Sequence, residues 1–192
     1  IKRAKTPGEA NKLGKNVLLV DDWDRIKVDV MRAIQYAKFQ EYELSYKLRH
    51  TYNEFLAEEN DHGDRFWGMY HGTGANHLGN ILMEIRKILW LETINKLDNP
   101  LYNLWKKYSC EDGVSSMLSS FKARDKYVKS YSWAVPDDLA LYEIVYLNEP
   151  IVEIGAGTGY WASLLSQLGV DIVCYDHRPV ENRNNSFHSI SN

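Results

Sequence analysis

The sequence predicts an α-rich N-terminal region followed by the opening β-α-β unit of a doubly wound α/β sheet. Three observations carry that expectation. Up to about Tyr146 apolar residues recur at helical spacing, as in Ile26, Val30, Met31, Ile34 and Ala37. After Asn148-Glu149-Pro150 the period changes, and two short apolar runs flank a glycine turn and a helix. In between, Leu97-Asp98-Asn99-Pro100 reads as a break. The expected organisation is a first region over 1–97, a helical connector over 98–130 and an α/β region over 131–192.

Composition narrows the function classes. The chain has 192 residues, of which 44% are apolar, enough for one large or two small domains with a real core. The formal net charge of -3 leaves no basic field to recruit nucleic acid non-specifically. Cys110 and Cys174 form neither a disulfide framework nor a metal-ligand spacing, which suits a reducing, cytoplasmic setting. No apolar run reaches transmembrane length, so no membrane partner is expected. The chain opens on Ile1, without an initiator Met, so a fragment or a processed product is expected.

The elements follow in order. Thr6-Pro7-Gly8-Glu9 reads as a capping box for a short helix that stops at Gly14. Asp21 or Asp22 can cap a long helix reaching about Tyr42. Lys38 lies four residues after Ile34, so it either snorkels past the core edge or sits in a pocket. A further helix spans about Glu43 to Glu59, with a break possible near His50 to Asn53. A glycine-rich loop, Asp61 to Ala75, then leads into a helix from about Asn76 to Trp90 with Ile81, Leu82, Ile85 and Leu89 inward. Tyr102 to Tyr108 is helical in pattern. Cys110 to Ser120 is a connector, and Lys122 to Lys129 is a basic stretch read as a solvated face. A helix starts at Pro136-Asp137-Asp138, with Leu139, Ile144 and Val145 inward. Ile151–Ile154 is a short buried strand, Gly155–Gly159 a tight turn, Trp161–Leu168 a helix and Val170–Tyr175 a second strand closing on Asp176.

Two stretches carry candidate chemistry. The loop from Asp61 holds Asp64, Phe66, Trp67 and several glycines; Gly72 and Gly74 permit positive φ or close backbone approach. A structural turn with a core Trp is the alternative. His62, His71 and His77 lack the i, i+4 zinc arrangement and read as loop residues, so no metal is expected. The second stretch is Glu153-Ile154-Gly155-Ala156-Gly157-Thr158-Gly159, with Asp176 at the end of the next strand. Glycines there let a backbone pass close under a ligand, and an acid there can take ribose hydroxyls. Tyr160 stands where the dinucleotide pattern wants glycine, which favours a ligand without phosphates.

EIGAGTGYWA followed by a strand ending in YD resembles the first motif of class I S-adenosylmethionine-dependent methyltransferases, over about Tyr131 to Asp176. The resemblance implies a Rossmann-like methyltransferase sheet with S-adenosylmethionine as cofactor. It assigns Glu153, Gly155, Gly157, Gly159 and Asp176 to cofactor binding, the glycine loop to the methionine part and Asp176 to the ribose. Only His177 to Asn192 follow, so the family's later strands and acceptor loops have no counterpart.

The first region resembles NADAR-domain proteins over about Thr6 to Leu89. The matching pieces are DDWDRIKVDVM, AKFQ, Thr51, Glu58, DRFWG, GTGANHLG and ILMEIR, in that order. Tyr52 replaces the usual glycine, and the family's first part, with a functional Glu, is missing. The resemblance implies cleavage of an N-glycosidic bond in a phosphorylated riboflavin-pathway intermediate or between ADP-ribose and a base. The partner is then a nucleotide-like small molecule or an ADP-ribosylated base, with no cofactor. Such cleavage develops positive charge on the sugar, which a carboxylate at Asp64 or Glu58 can stabilise. A lysine buried on an apolar face can instead attack as a nucleophile, and Lys38 is the candidate. Trp23 and Trp67 offer faces for a flat base, with core packing as the alternative. Asn76 and Gly74 are the expected contacts to phosphate or ribose. A methyltransferase, and a non-catalytic remnant or binding module, remain the alternative functions.

Overall fold

A computed structural model of the chain describes residues 3–109, 127–128, 130–177 and 187–191. The connector expected over Cys110–Ser120 lies outside the described residues, as does most of the basic stretch Lys122–Lys129.

Helix α1, Pro7–Gly14, starts as its sequence demands. Thr6 Oγ1 accepts the Glu9 amide and the Glu9 carboxylate accepts the Lys5 amide. The apolar run Val17–Val20 that follows is exposed rather than part of the core. Helix α2, Trp23–Lys38, stops short of the expected Tyr42. Glu41 intervenes: its side chain caps a separate helix, α3, Tyr42–Arg49, by accepting the Glu43 and Leu44 amides. Helix α3 also ends well before the expected Glu59. Tyr52 takes a positive φ of 42°, and the chain beyond it runs extended into strand β1, Glu59–Asn60. Strand β1 pairs in parallel with β2, Met69–Tyr70.

Helix α4, His77–Ile94, is the central element. It packs against α2, α3 and helix α6, Asp138–Leu147, whose start is capped by Asp137 accepting the Ala140 amide. The stretch Ile81–Leu89 of α4 supplies Ile81, Ile85 and Leu89 to a core shared with Leu48, Val28, Met31, Leu56 and Trp67. Ile81 and Ile85 are enclosed, and each such burial contributes about 2 kcal/mol. Its C-terminal end supplies Trp90 and Ile94 to a second core with Leu101, Leu141, Tyr142, Val145, Leu164 and Leu165. In α6 the buried positions are Leu141, Tyr142 and Val145, whereas Leu139, expected inward, is exposed.

The second core runs across the break at Leu97–Pro100, which opens helix α5, Pro100–Ser109. Asn99 is buried there. Its Nδ2 donates to the Pro136 carbonyl, while its Oδ1 accepts the Tyr102 amide and the Tyr160 hydroxyl. The last unit is strand β3, Ile151–Ile154, helix α7, Tyr160–Gln167, and strand β4, Ile172–Tyr175, with β5, Ile190–Ser191, beside β4. Both pairings are parallel, in the order β3-β4-β5. Strand β3 is not buried on both sides as expected: Val152 and Ile154 are 58% and 77% exposed. Side chains alternate between faces, and α7 packs against the sheet's inner face, where Ile172 and Cys174 lie.

Candidate active site

The loop between β1 and α4 is organised by two asparagines. Asn60 Nδ2 donates to the Asp64 and Met69 carbonyls, and its Oδ1 accepts the Asp64 amide. Asp64 Oδ1 then accepts the Phe66 and Trp67 amides at 2.9 and 3.0 Å. From there the chain lies along the start of α4. The amides of Ala75, Asn76, His77 and Leu78 donate to the carbonyls of Arg65, Gly68, Phe66 and Trp67. The first turn of α4, usually a ready anion site, is therefore satisfied by its own loop.

Asn76 is the second organiser. It is 3% exposed and takes a positive φ of 50°. Its Oδ1 accepts the Glu58 amide and its Nδ2 donates to the Leu56 carbonyl. Each end of the amide holds the backbone, so Asn76 fastens the 56–58 segment to α4, where the sequence pointed to a phosphate or ribose contact. Gly74 serves close approach within the loop, because a Cβ there would collide with the Gly68 carbonyl. Gly79 does the same between α4 and the Leu56 carbonyl.

Glu58 is exposed on this fastened segment. It lines a hollow of about 450 Å³ with Phe39, Lys47, Phe55, Leu56 and Leu82. Asp64 is half-buried, with one carboxylate oxygen bracing the loop. Trp67 is half-buried against the first core and meets Phe66 edge-on at 5.0 Å. Phe66 also lies 4.4 Å from the His77 ring.

Lys38 is exposed at the end of α2, with its Nζ 5.4 Å from the Phe39 ring centre. The pocketed arrangement is absent, and with it the burial expected of a lysine nucleophile. Trp23 is half-buried at the opposite end of α2. Fifteen residues of helix separate Trp23 from Lys38, roughly 22 Å, so the two do not meet at one sugar. Asp64, Trp67 and Asn76 thus belong to one hydrogen-bonded loop, with Gly74 packed against the Gly68 carbonyl and the Glu58 amide held by Asn76, and Lys38 stands apart.

Sequence reasoning missed Asn60, Arg86 and Lys27. The Asx-rich run Glu59–Asp64 was the available signal for Asn60. Arg86 is 2% exposed, and its guanidinium donates to the Thr51 carbonyl and hydroxyl and to the Glu54 carbonyl, tying the turn after α3 to α4. No pattern in the helix distinguishes it from a surface arginine.

The glycine turn after β3 is closed on itself. Gly157 N–H donates to Asp176 Oδ2 at 2.8 Å, and the Gly155 and Ala156 amides donate to the Tyr175 carbonyl. Gly159 packs against His188, and the Phe187 amide donates to the Thr158 carbonyl. Thr158 is buried and its hydroxyl donates to the Tyr131 carbonyl. Phe187 stacks on Tyr131 and meets Tyr160 edge-on. Glu153 is half-buried beside Cys174, and burial pushes its carboxyl up against the lowering effect of the Cys174 thiol. Asp176 and the turn are brought together as expected. The chain's own 187–191 segment lies against the Thr158–Gly159 end of the turn, and one Asp176 oxygen accepts the Gly157 amide. Among the described residues no group of three His, Cys, Asp or Glu side chains can hold a metal ion, and no helix is long and apolar enough to cross a membrane.

The NADAR domain model matches residues 1–90, ending ahead of the glycine turn. The chain is 41% identical over 95 residues to a chloroplastic riboflavin biosynthesis protein PYRR of Zea mays, covering 45% of this chain and 15% of that protein. It is 36% identical over 96 residues to the N-glycosidase YbiA of Escherichia coli, covering 48% and 59%. An N-glycosidase of Nostoc punctiforme is 38% identical over 91 residues, covering 45% and 58%. The chain thus spans less than two thirds of each of these relatives. No solved structure gives a significant match. The loop braced by Asp64 and the segment carrying Glu58 lie inside the matched stretch, and the chain carries at residues 1–90 a NADAR domain with N-glycosidase homologues.

Proposed function

We propose that the first region hydrolyses an N-glycosidic bond in an ADP-ribose-type or ribose-phosphate substrate. The observation that carries this reading is the Glu58 carboxylate, held at a hollow of about 450 Å³ by a segment that Asn76 pins to α4. In the reaction the sugar C–N bond breaks and its electron pair leaves with the base nitrogen, which takes up a proton. Water forms the new bond to the sugar carbon. Positive charge develops on the sugar ring, and a carboxylate at Glu58 or Asp64 supplies the negative field that stabilises it. Lys38, at the end of α2, is the residue available for attack on an opened sugar.

Release of free base from ADP-ribosylated guanine and from phosphorylated riboflavin intermediates, followed by chromatography, tests the reading. Glu58→Gln is expected to lower the rate roughly 100-fold. Asp64→Asn keeps an oxygen for the Phe66 and Trp67 amides and is expected to lose rate while keeping the fold. A folded chain that releases no base from any of these substrates overturns the reading. A melting midpoint raised by ADP-ribose without turnover favours a binding module instead.

A second reading rests on Asp176 lying beside Gly157 at the end of a parallel strand: S-adenosylmethionine binding at the turn. It requires residues 187–191 to move aside. A melting midpoint unchanged by saturating S-adenosylmethionine counts against it.

A further inference from the structure

We propose that Lys27 is the cation that binds the phosphate of the ligand, an inference that rests on the glycosidase reading above. Helix α2 carries two lysines on one stripe, Lys27 and Lys38, eleven residues apart and so roughly 16 Å along the axis. Only Lys27 faces the loop. Its side chain is 22% exposed, its Nζ lies 4.1 Å over the Phe66 ring, and the same ring contacts His77. Phe66 in turn is held by Asp64. Lys27 therefore stands on the aromatic shelf that Asp64 builds.

A phosphate arriving at this shelf has few other partners. The amides of residues 75–78 are committed to the loop carbonyls, and the Asn76 side chain is committed to Leu56 and Glu58. Arg25, Arg32 and Lys47 are in surface ion pairs as well, but of these four cations it is Lys27 that lies over the Phe66 ring. Arg65 lies over Tyr70, 5.6 Å from its ring centre. Lys27 is paired with Asp24 at 2.8 Å, but the Asp24 side chain is 92% exposed. A pair with one partner in water is weakly held, so a ligand anion can take the place of Asp24. The ring beneath Nζ holds the ammonium in place over the loop.

Calorimetric titration with ADP-ribose and with adenosine, on the wild-type chain and on Lys27→Met, Lys27→Arg and Asp24→Asn variants, tests this. Lys27→Met is expected to weaken ADP-ribose binding roughly 10- to 100-fold and to leave adenosine binding unchanged. Lys27→Arg retains most of the affinity. Asp24→Asn removes the competing carboxylate, leaves Lys27 in place and is expected to tighten ADP-ribose binding. It also serves if Lys27→Met melts early. An ADP-ribose to adenosine preference that survives Lys27→Met, or that falls with Asp24→Asn, overturns the proposal alone. A wild-type chain that binds neither ligand overturns this proposal, and the glycosidase reading falls with it only where base release from every substrate named above fails as well.

Discussion

Asn76 carries more of the site than any charged residue does. It combines a left-handed backbone, which asparagine tolerates better than alanine, with a buried amide whose two ends hold the 56–58 segment. Asn76→Ala leaves the Glu58 amide and the Leu56 carbonyl without partners and strains the backbone. It is expected to cost about 3 kcal/mol in urea unfolding. Asn76→Gly loses the same bonds but relieves the backbone, so it should be less damaging by about 1 kcal/mol. Equal losses for the two variants would mean that the left-handed backbone contributes nothing. The motif GTGANHLG marks Asn76 as special, but neither its spacing nor its chemistry distinguishes a ligand contact from a backbone clasp. Its partners lie 18 and 20 residues upstream, beyond the reach of any local pattern.

At the scale of elements, the site is a loop laid along the first turn of α4. Four consecutive amides at the helix start find carbonyls in Arg65 to Gly68, which closes the turn without a capping side chain. Asp64 fixes the loop's entry, and this divides the two substitutions at that position. Asparagine keeps the acceptor for the Phe66 and Trp67 amides, while alanine frees both and loosens the aromatic shelf beneath Lys27. Most helices were legible, because a buried stripe recurs at helical spacing. The division of the long helical stretch after Lys38 was less so, since Glu41 acts through a cap rather than through periodicity. The β-α-β order was legible from the change of period. The exposure of Val152 and Ile154 was not, because one apolar strand reads alike whether one face is covered or both.

Across the whole molecule, α4 and the Asn99 joint connect the two regions, and a core runs from Trp90 to Leu165. Buried acids in that core, Cys174 and Tyr160 with Tyr142, are expected to lower stability at alkaline pH. Burial pushes the Cys174 thiol up from 9.0 to about 11, helped by the nearby Glu153. Burial likewise pushes the Tyr160 hydroxyl up from 10.0 to about 12. Each group holds its proton more tightly folded than unfolded. Its stabilising contribution is therefore complete below the unfolded value and is lost as the pH rises through the folded value. Melting temperatures are expected to fall steadily from pH 9 toward pH 12, and Cys174→Ala should flatten the part between 9 and 11. A wild-type profile flat over that range would sink the account.

The sequence alone determined that the first region is helical, that a parallel strand pair belongs to the last unit, and which ordered motifs match an N-glycosidase-type domain. These are local properties: periodicity, caps and short motifs read within one or two turns of chain. Only the tertiary structure decided which polar groups are free to act. It spends Asn76 and the start of α4 on the backbone, closes the glycine turn on Asp176, leaves Lys38 in the open and sets Lys27 over Phe66. A hydrogen-bonding group takes whichever partner the fold brings within 3 Å or so, and those partners lie on other elements that local spacing does not specify.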